Sequence, residues 1–334
     1  MLNFEFIVEH YLSGVRIDSF LARQLRNYTS WRLHRLVAEG QVTIDGFRAE
    51  TDQRVQRGQR ITLNLLEPPD KLLPAEPKAV RIVYEDPWLM VVDKPAGLIT
   101  HPVGEFHDGS LTNALQSHLD AQTKARGLLR AGIVHRLDRL TSGLLVVPKD
   151  HYSHRLLSID FQKGRTSKSY LALVEGTPDF QFRRIDWPIG MRPDGRSVLM
   201  SAAPNAIRAR AARTDVTFRR SFGATSLVEC ELFTGRNHQI RVHLAQAGFP
   251  IVGDSYYAAN GKLKPAGARS REDADESRHA LHAGRLGFQH PVLQVPLEFH
   301  TPPPPDFWSV ANLTPIEHAG WAGFADSQSP SSAS

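Results

Sequence analysis

The sequence predicts an α+β protein with two folded regions. Strand-like and helix-like segments are mixed along the 334 residues, without the strict alternation of a doubly wound sheet. Four prolines between residues 67 and 79 indicate an extended linker that separates an N-terminal region from the rest. With 41% hydrophobic and 22% charged residues, the composition is that of a globular protein long enough to form a core without disulfides.

The first region, residues 14–66, shows a helix–helix–strand–strand pattern. Apolar residues recur at helical spacing in the segments 16–25 and 31–37, and Thr29 and Ser30 are suitable N-caps for the second helix. Two strand-like segments follow at 41–44 and 61–65, and an Asp-Gly pair after the first is typical of a hairpin turn. About 50 residues therefore form a small α+β unit of their own.

The two predicted helices are rich in arginine. Only one acidic residue, Asp18, accompanies five arginines, which are Arg16, Arg23, Arg26, Arg32 and Arg35. Such a surface can contact the phosphates of a nucleic acid. The same pattern also describes an ordinary solvated helix face, and the charge alone leaves both interpretations open.

The second region, residues 80–300, contains both types of element. Apolar runs and alternation predict strands at 81–84, 89–93, 132–135, 144–147, 169–174 and 225–233. Helical spacing and capping residues predict helices at 110–119, 151–162 and 236–247. Residues 258–278 lack periodicity and are interpreted as a surface insertion. The Pro- and Ser-rich segment 301–334 is predicted to be a partly disordered tail.

Charge and cysteine content exclude several classes of protein. The net charge is +5, and its excess lies in residues 71–300, which hold 31 Lys or Arg and 23 Asp or Glu. A basic central region suggests a polyanionic partner. The single cysteine, Cys230, excludes an internal disulfide and a cysteine-rich zinc site. No signal peptide or membrane span is visible, so a cytoplasmic location and no membrane partner are predicted.

Two polar segments are candidates for chemistry. In the segment 135–143, HRLDRLTSG, Asp138 lies between Arg136 and Arg139. A carboxylate near fixed cations stays ionised at neutral pH and can act as a nucleophile or a base. In the segment 234–243, TGRNHQIRVH, a helix would place His238 and Arg241 on one face, as partners for a buried carboxylate or a phosphate. A structural ion pair and a solvated basic helix are the alternatives.

Five segments in order resemble the RluA/RluD-like pseudouridine synthases. They are DKPAGLITHP (93–102), HRLDRLTSG (135–143), KSYLALVEG (168–176), TGRNHQIRVHLAQAGFPIVGD (234–254) and RHALHA (278–283). The N-terminal region resembles the alpha-L type of RNA-binding domain. The resemblance implies a catalytic domain with a mixed, largely antiparallel central sheet. It also implies isomerisation of uridine to pseudouridine in RNA, without a metal or any other cofactor.

The resemblance assigns roles to individual residues. Asp138 matches the catalytic aspartate, which either attacks the ribose or removes its C2′ proton. Tyr170 matches a tyrosine that stacks on the uracil and helps to remove the C5 proton. Arg241 matches the basic partner of the aspartate. Leu281 matches an apolar residue that packs against the base. Plain core positions are the alternatives for Tyr170 and Leu281.

Further residues are expected to contact RNA. Arg136 matches an arginine that enters the space left by a flipped nucleotide, although a second ion pair is its alternative. Cleft-lining or backbone-contacting roles are expected for Arg139, Lys94, Arg236 and His238. In the N-terminal region the expected RNA contacts are Arg16, Arg32 and Arg35.

The substrate and the class of protein remain open at this point. An RNA-binding domain ahead of the catalytic domain favours large-subunit ribosomal RNA, with transfer RNA as the alternative, and no protein partner is required. A non-catalytic RNA-binding or ribosome-assembly factor would lack the three residues Asp138, Tyr170 and Arg241, which are all present. A metal-dependent nuclease would need clustered acids or histidines in a recognisable motif, which the sequence does not show.

Overall fold

A computed structural model describes residues 2–65, 74–102, 108–123, 129–193, 199–264 and 278–313. In the N-terminal region the elements are β1 (Leu2–Ile7), α1 (Ile17–Gln24), α2 (Ser30–Ala38), β2 (Val42–Ile44), β3 (Phe47–Arg48) and β4 (Arg60–Leu65). The four strands form an antiparallel sheet in the order β1-β4-β2-β3. The predicted cap is present, since the Thr29 side chain accepts a hydrogen bond from the backbone N–H of Arg32.

The N-terminal region begins earlier than predicted. Strand β1 pairs with β4 along its full length, and Phe4 and Val8 are buried in the same apolar core as the two helices. The predicted start at residue 14 and the helix–helix–strand–strand pattern therefore omit one strand. The signal was present, because residues 2–7 alternate apolar and polar side chains as a half-buried strand does.

The second region contains the remaining elements. Its helices are α3 (Leu111–Ala121), α4 (His151–Gln162), α5 (Gln239–Gln246) and α6 (Pro305–Ser309). Its strands are β5 (Arg81–Glu85), β6 (Leu89–Lys94), β7 (Ser142–Pro148), β8 (Ser167–Glu175), β9 (Phe182–Ile185), β10 (Ile189–Met191), β11 (Met200–Ser201), β12 (Ile207–Arg210), β13 (Thr214–Phe222), β14 (Thr225–Leu232), β15 (Leu281–Gln289) and β16 (Pro296–His300).

Nine of these strands form the central sheet. Eight run in the order β5-β6-β7-β15-β8-β14-β13-β9, and β16 also pairs with β15. Every pair is antiparallel except β7 with β15, so the sheet is mixed and largely antiparallel, as predicted. Strand β15, late in the chain, lies between two strands that α4 connects. A smaller sheet has the order β11-β10-β12.

A glycine permits the single parallel pairing. Gly143, in β7, has φ +116°, and a Cβ atom built on it would collide with the backbone of Ala283 in β15. Only glycine combines this backbone conformation with so close an approach of two main chains. Residue 143 closes the HRLDRLTSG segment, so the glycine joins that segment to the centre of the sheet.

Two predicted elements differ in the structure. Residues 132–135, predicted as a strand, run beside β7 without a regular ladder, because the backbone N–H of Val146 donates to the ring of His135 instead of to a carbonyl. The helix predicted over 236–247 begins only at Gln239. His238 has left-handed backbone angles, φ 54° and ψ 22°, which a helix cannot continue through.

The predicted boundary at residue 300 is also wrong. Phe307 and Trp308, in α6, are almost fully buried and belong to the main apolar core of the second region. The predicted tail thus contributes two large aromatic side chains to the fold, while its residues 314–334 lie outside the described residues. The same is true of residue 66, of 67–73 in the predicted linker and of 265–277 in the predicted insertion. In the described part of the chain, no helix combines the length and apolarity needed to cross a membrane.

Candidate active site

A cleft of about 900 Å³ opens beside the central sheet. Small-molecule sites usually have volumes of roughly 300–1,000 Å³, so a nucleotide fits. The segment before β7, strand β8, the end of β14 with the start of α5, and the first residue of β15 all line it. Of the predicted residues, those that line the cleft are Arg136, Asp138, Tyr170, Arg236, His238, Arg241 and Leu281.

The segment that carries Asp138 is held from two sides. Thr141 donates its backbone N–H to the carbonyl of Asp138 (3.1 Å) and closes a tight turn. The hydroxyl of Thr141 lies 2.8 Å from Nε2 of His279, a buried residue that precedes β15. Because turn and sheet are tied together, the Asp138 carboxylate has a fixed position at the cleft wall.

Arg241 joins two carboxylates. Its Nη1 donates to Oδ2 of Asp138 (3.0 Å), while its Nε and Nη2 donate to the two oxygens of Asp254 (2.7 and 3.0 Å). Asp254 is fully buried and also accepts the backbone N–H groups of Tyr256 and Tyr257. The bidentate pair fixes the plane of the guanidinium, so that one N–H points at Asp138.

These contacts keep Asp138 ionised. Burial on its own would raise the pKa of the Asp138 carboxyl, but nearby His238 and Arg241 lower it below its usual value. Burial also lowers the pKa of His238 to about 4, so its ring is neutral at pH 7 and Arg241 is the cation that acts there. The structure therefore presents an ionised carboxylate whose side chain is 20% exposed in the cleft, and such a group can act as a nucleophile or a base.

His238 is oriented by Tyr257. The hydroxyl of Tyr257 accepts the backbone N–H of Met200 (3.0 Å) and lies 2.8 Å from Nδ1 of His238. This arrangement favours donation from the hydroxyl to Nδ1, which leaves the ring proton on Nε2. Nε2 lies 4.0 Å from Oδ2 of Asp138, so the N–H group of His238 lies near the carboxylate.

Tyr170 and Leu281 contribute apolar surface to the wall of the cleft. Leu281 pairs with Ala172 across the β8–β15 ladder, and residues 170 and 172 share one face of β8, so both side chains face the cleft. Burial, together with the charge of Asp138, raises the pKa of the Tyr170 phenol well above its normal value. Tyr170 is therefore a neutral aromatic surface at pH 7, suited to stack on a base.

Of three further predicted arginines, Arg136 and Arg236 line the cleft and Arg139 does not. The side chains of Arg136 and Arg139 are exposed, and Arg236, which is half-buried, donates from Nε to the carbonyl of Ala211 (3.0 Å). Exposed guanidinium groups beside a cleft can bind the phosphates of a strand that enters it. The positions fit the predicted roles in RNA binding, which remain predictions.

Lys94 does not face the cleft, contrary to the prediction. Its side chain is fully buried, and its ammonium group donates to the carbonyls of Pro95, Leu98 and Arg139 at 2.8–3.1 Å. Burial lowers its pKa to about 7. A lysine whose ammonium group donates to three backbone carbonyls has no N–H group left for RNA. Lys94 instead links the loop after β6 to the loop that contains Asp138.

The three N-terminal arginines lie outside the cleft, where Arg35 is exposed and Arg16 and Arg32 are half-buried. Arg16 pairs with Asp18 and Asp52, and Arg35 pairs with Glu39 and lies over the ring of Trp31. Arg32 lies over the ring of Tyr28. Another arginine on this side, Arg26, pairs with Asp150 at the N-terminus of α4 (3.3 Å). The two regions of the chain are thus in contact at that point.

Sequence reasoning missed Asp254 and Tyr257. Asp254 ends the quoted segment 234–254, but its role became visible only with its bidentate contact to Arg241. The available signal was that Asp254 is the one acidic residue in the basic segment 234–254. Within the described residues, no group of three or more His, Cys, Asp or Glu side chains could hold a metal ion.

Comparisons with known proteins agree with this site. Residues 88–246 match the sequence profile of a family described as RNA pseudouridylate synthase. "Uncharacterized RNA pseudouridine synthase YlyB" of Bacillus subtilis (strain 168) is 36% identical over 87% of this chain and 91% of its own length. "Ribosomal large subunit pseudouridine synthase D" of Neisseria meningitidis (strain Z2491) is 34% identical over 92% of this chain and 80% of its own length.

Among solved structures, "Human RNA Pseudouridylate Synthase Domain Containing 4" is similar in fold. Its TM-score is 0.54 at 26% identity, over 69% of this chain and 91% of that chain. The region of similarity extends well beyond the cleft, so both the fold and the sequence around it are shared.

Proposed function

This chain belongs to the RNA pseudouridylate synthase family and isomerises uridine to pseudouridine in RNA, and we propose that its substrate is large-subunit ribosomal RNA. Relatives at 32–36% identity are named for that substrate. The observation that carries the catalytic part of the proposal is the carboxylate of Asp138, held ionised by Arg241 in a cleft beside Tyr170.

Asp138 is proposed to act on the ribose of the target uridine. An ionised carboxylate can attack C1′ as the N1–C1′ bond breaks, or it can remove the C2′ proton to form a glycal. Both routes need the carboxylate beside the sugar. The uracil then rotates in the cleft and C5 bonds to C1′, as the Asp138–C1′ ester breaks in the first route or as the glycal takes a proton back at C2′ in the second. C5 finally loses its own proton, and N1 ends protonated.

Tyr170 and Leu281 are proposed to hold the uracil while it is detached. An aromatic ring and an aliphatic side chain on one wall provide a surface on which a planar base can slide and rotate. The neutral phenol of Tyr170 can also donate a hydrogen bond to a uracil carbonyl. The target must be unstacked from its neighbours to reach this wall, so base flipping is part of the proposal.

The N-terminal region is proposed to bind RNA outside the cleft. On α2, Arg35 is exposed and Arg32 is half-buried, and Arg35 lies over the largely exposed ring of Trp31, which presents further surface to a base. A second contact of this kind suits a large, structured RNA, because it adds affinity without adding contacts at the target uridine.

The test maps pseudouridines in total RNA of a host strain that lacks the gene. Carbodiimide-dependent sequencing would compare that strain with strains that carry the wild type, Asp138→Ala, or Asp179→Ala. Asp179 is an exposed carboxylate that does not line the cleft, and it serves as the control. We expect sites in large-subunit ribosomal RNA to return with the wild type and the control only.

Three outcomes would contradict parts of this proposal. Sites that return with Asp138→Ala would remove the catalytic assignment. Sites that return in transfer RNA alone would replace the ribosomal substrate. An unchanged map in all four strains, combined with an inactive purified protein on transcribed ribosomal RNA, would indicate an RNA-binding factor without catalysis.

A further inference from the structure

We propose that Phe233 and Arg213 form a stacking platform at the mouth of the cleft, which binds the base of a nucleotide adjacent to the target uridine. The inference rests on the proposed RNA substrate and adds a substrate-binding site outside the catalytic group. Phe233 follows β14, lines the cleft and is 42% exposed, which is unusual for a phenylalanine in a folded domain.

The platform has one covered face and one open face. The guanidinium of Arg213 lies over the Phe233 ring, 3.9 Å from its centroid. The exposed surface of the ring therefore comes from its edge and from its opposite face, on the side of the cleft. A guanidinium on the far side of a ring strengthens the ring as a rigid surface, and bases of any sequence stack on such surfaces.

Arg213 is itself fixed. Its Nε and Nη2 donate to the two oxygens of Asp215 at 3.0 and 2.7 Å. The guanidinium is held by a bidentate pair and serves as backing for the ring, which differs from the behaviour of a mobile surface arginine.

The backbone under the platform is equally constrained. The N–H of Phe233 donates to the carbonyl of Arg213 (3.2 Å), and the N–H of Arg213 donates to the hydroxyl of Thr234 (2.9 Å). Gln239, the first residue of α5, donates to the same Arg213 carbonyl (2.9 Å) and accepts from Thr234 (2.8 Å). The platform is thus built into the start of the helix that carries Arg241, at a set distance from the catalytic group.

A cationic side chain lines the same cleft. Arg236 is three residues from Phe233, lines the cleft, and is anchored through Nε to the carbonyl of Ala211. An aromatic ring and a guanidinium group in one cleft can bind the bases and the phosphates of a single strand.

The test measures steady-state kinetics on transcribed large-subunit ribosomal RNA that carries 5-tritiated uridine, with tritium release as the readout. Phe233→Ala should raise KM about tenfold and leave kcat within about twofold, since base–aromatic contacts act in binding. Phe233→Trp should behave like the wild type. Phe233→Leu, which keeps apolar volume without an aromatic face, should behave like the alanine variant.

Phe182→Ala is the matched control. Phe182 is an exposed phenylalanine (54%) on the edge strand β9, and it does not line the cleft. Its KM should equal that of the wild type. Circular dichroism and thermal unfolding of each variant should match the wild type, because an exposed side chain contributes little to stability.

A second experiment identifies the nucleotide. In a short RNA around the mapped uridine, an abasic residue at the stacked neighbour should raise KM for the wild type but should raise it no further for Phe233→Ala. Equal KM values for Phe233→Ala and the wild type, or a leucine variant as good as phenylalanine, would overturn the platform.

Failure of the platform is distinguishable from failure of the proposed function. If the wild type released no tritium, binding of a fluorescent decauridylate would still test the platform by anisotropy. Phe233→Ala should then weaken binding several-fold relative to Phe182→Ala, and equal affinities would overturn the inference by themselves.

Discussion

The arginines of the N-terminal region and the buried Arg241 of the cleft differ in the exposure and sequence separation of their ion pairs. Arg16 and Arg35 pair with acids close by on the surface, and their side chains are 42% and 47% exposed. Arg241 is 5% exposed, and it pairs with Asp138, which is 103 positions away in the chain. Exposed pairs are worth only ~0–1 kcal/mol, whereas a buried pair is costly to break.

This difference separates two uses of one side chain. An exposed guanidinium can exchange its acid for a phosphate at small cost, so it suits a surface that binds and releases RNA. A buried guanidinium between two carboxylates cannot leave, so it suits a task that lasts through the whole reaction. Variants at both sites can sharpen or break this comparison.

The largest effect is expected for Asp138→Asn. The amide keeps the shape of the side chain but can neither attack the ribose nor accept its proton. We expect kcat to fall at least about 10³-fold, with RNA affinity within a fewfold of the wild type. Tritium release and anisotropy measure the two quantities. Residual activity above a tenth of the wild type would remove Asp138 from the reaction.

Arg241→Gln should come next. Removal of the cation raises the pKa of Asp138, so the protonated acid persists to higher pH and the acid limb of the kcat–pH profile moves upward. We expect kcat at pH 7 to fall about 10²-fold and the free energy of unfolding to fall by ~3–5 kcal/mol, since Asp254 loses its partner as well. Arg241→Lys, which keeps the charge, should leave the acid limb closer to that of the wild type.

A smaller change is expected for Asp254→Asn. The pKa of Asp254 is lowered to about 2 because the nearby Arg241 outweighs the effect of burial, so this carboxylate is ionised at all working pH values. Its loss frees the guanidinium plane but leaves the cation beside Asp138. We expect kcat to fall about tenfold without an upward shift of the acid limb. An upward shift as large as that of Arg241→Gln would show that Asp254 does more than position Arg241.

The smallest effects belong to the surface. Arg32→Ala and Arg35→Ala should each weaken RNA binding about two- to fivefold and reduce the slope of log affinity against log salt by about 1. Neither should change kcat. A salt titration of RNA affinity provides the measurement, and an unchanged slope in the double variant would place the RNA elsewhere on the molecule.

Sequence patterns predicted the elements better than they predicted the surroundings of side chains. The helix over 151–162 begins and ends as predicted, because Asp150 is a strong local cap. Asp138, Tyr170 and Arg241 lie in one cleft, as the ordered segments implied. The burial of Lys94 could not be predicted from the sequence, because one of its three carbonyl partners, that of Arg139, is 45 positions away in the chain.

The C-terminal helix illustrates the other limit. Pro and Ser are the commonest residues after residue 300, and the average suggests a tail. The aromatic pair Phe307 and Trp308 interrupts that average and packs into the core. Composition over a long window hides two adjacent side chains, although they decide where the folded region ends.

The position of β15 has a consequence for synthesis of the chain. This strand occupies the middle of the central sheet, between β7 and β8, yet it is next to last among the sixteen strands in chain order within the described residues. The chain leaves the ribosome from its N-terminus, so strands β5–β7, next to Asp138, and strands β8, β14, β13 and β9, which include Tyr170, are made before the strand that joins them. They join only after residue 289 has emerged, so a nascent chain that is still incomplete holds the parts of the site without assembling them.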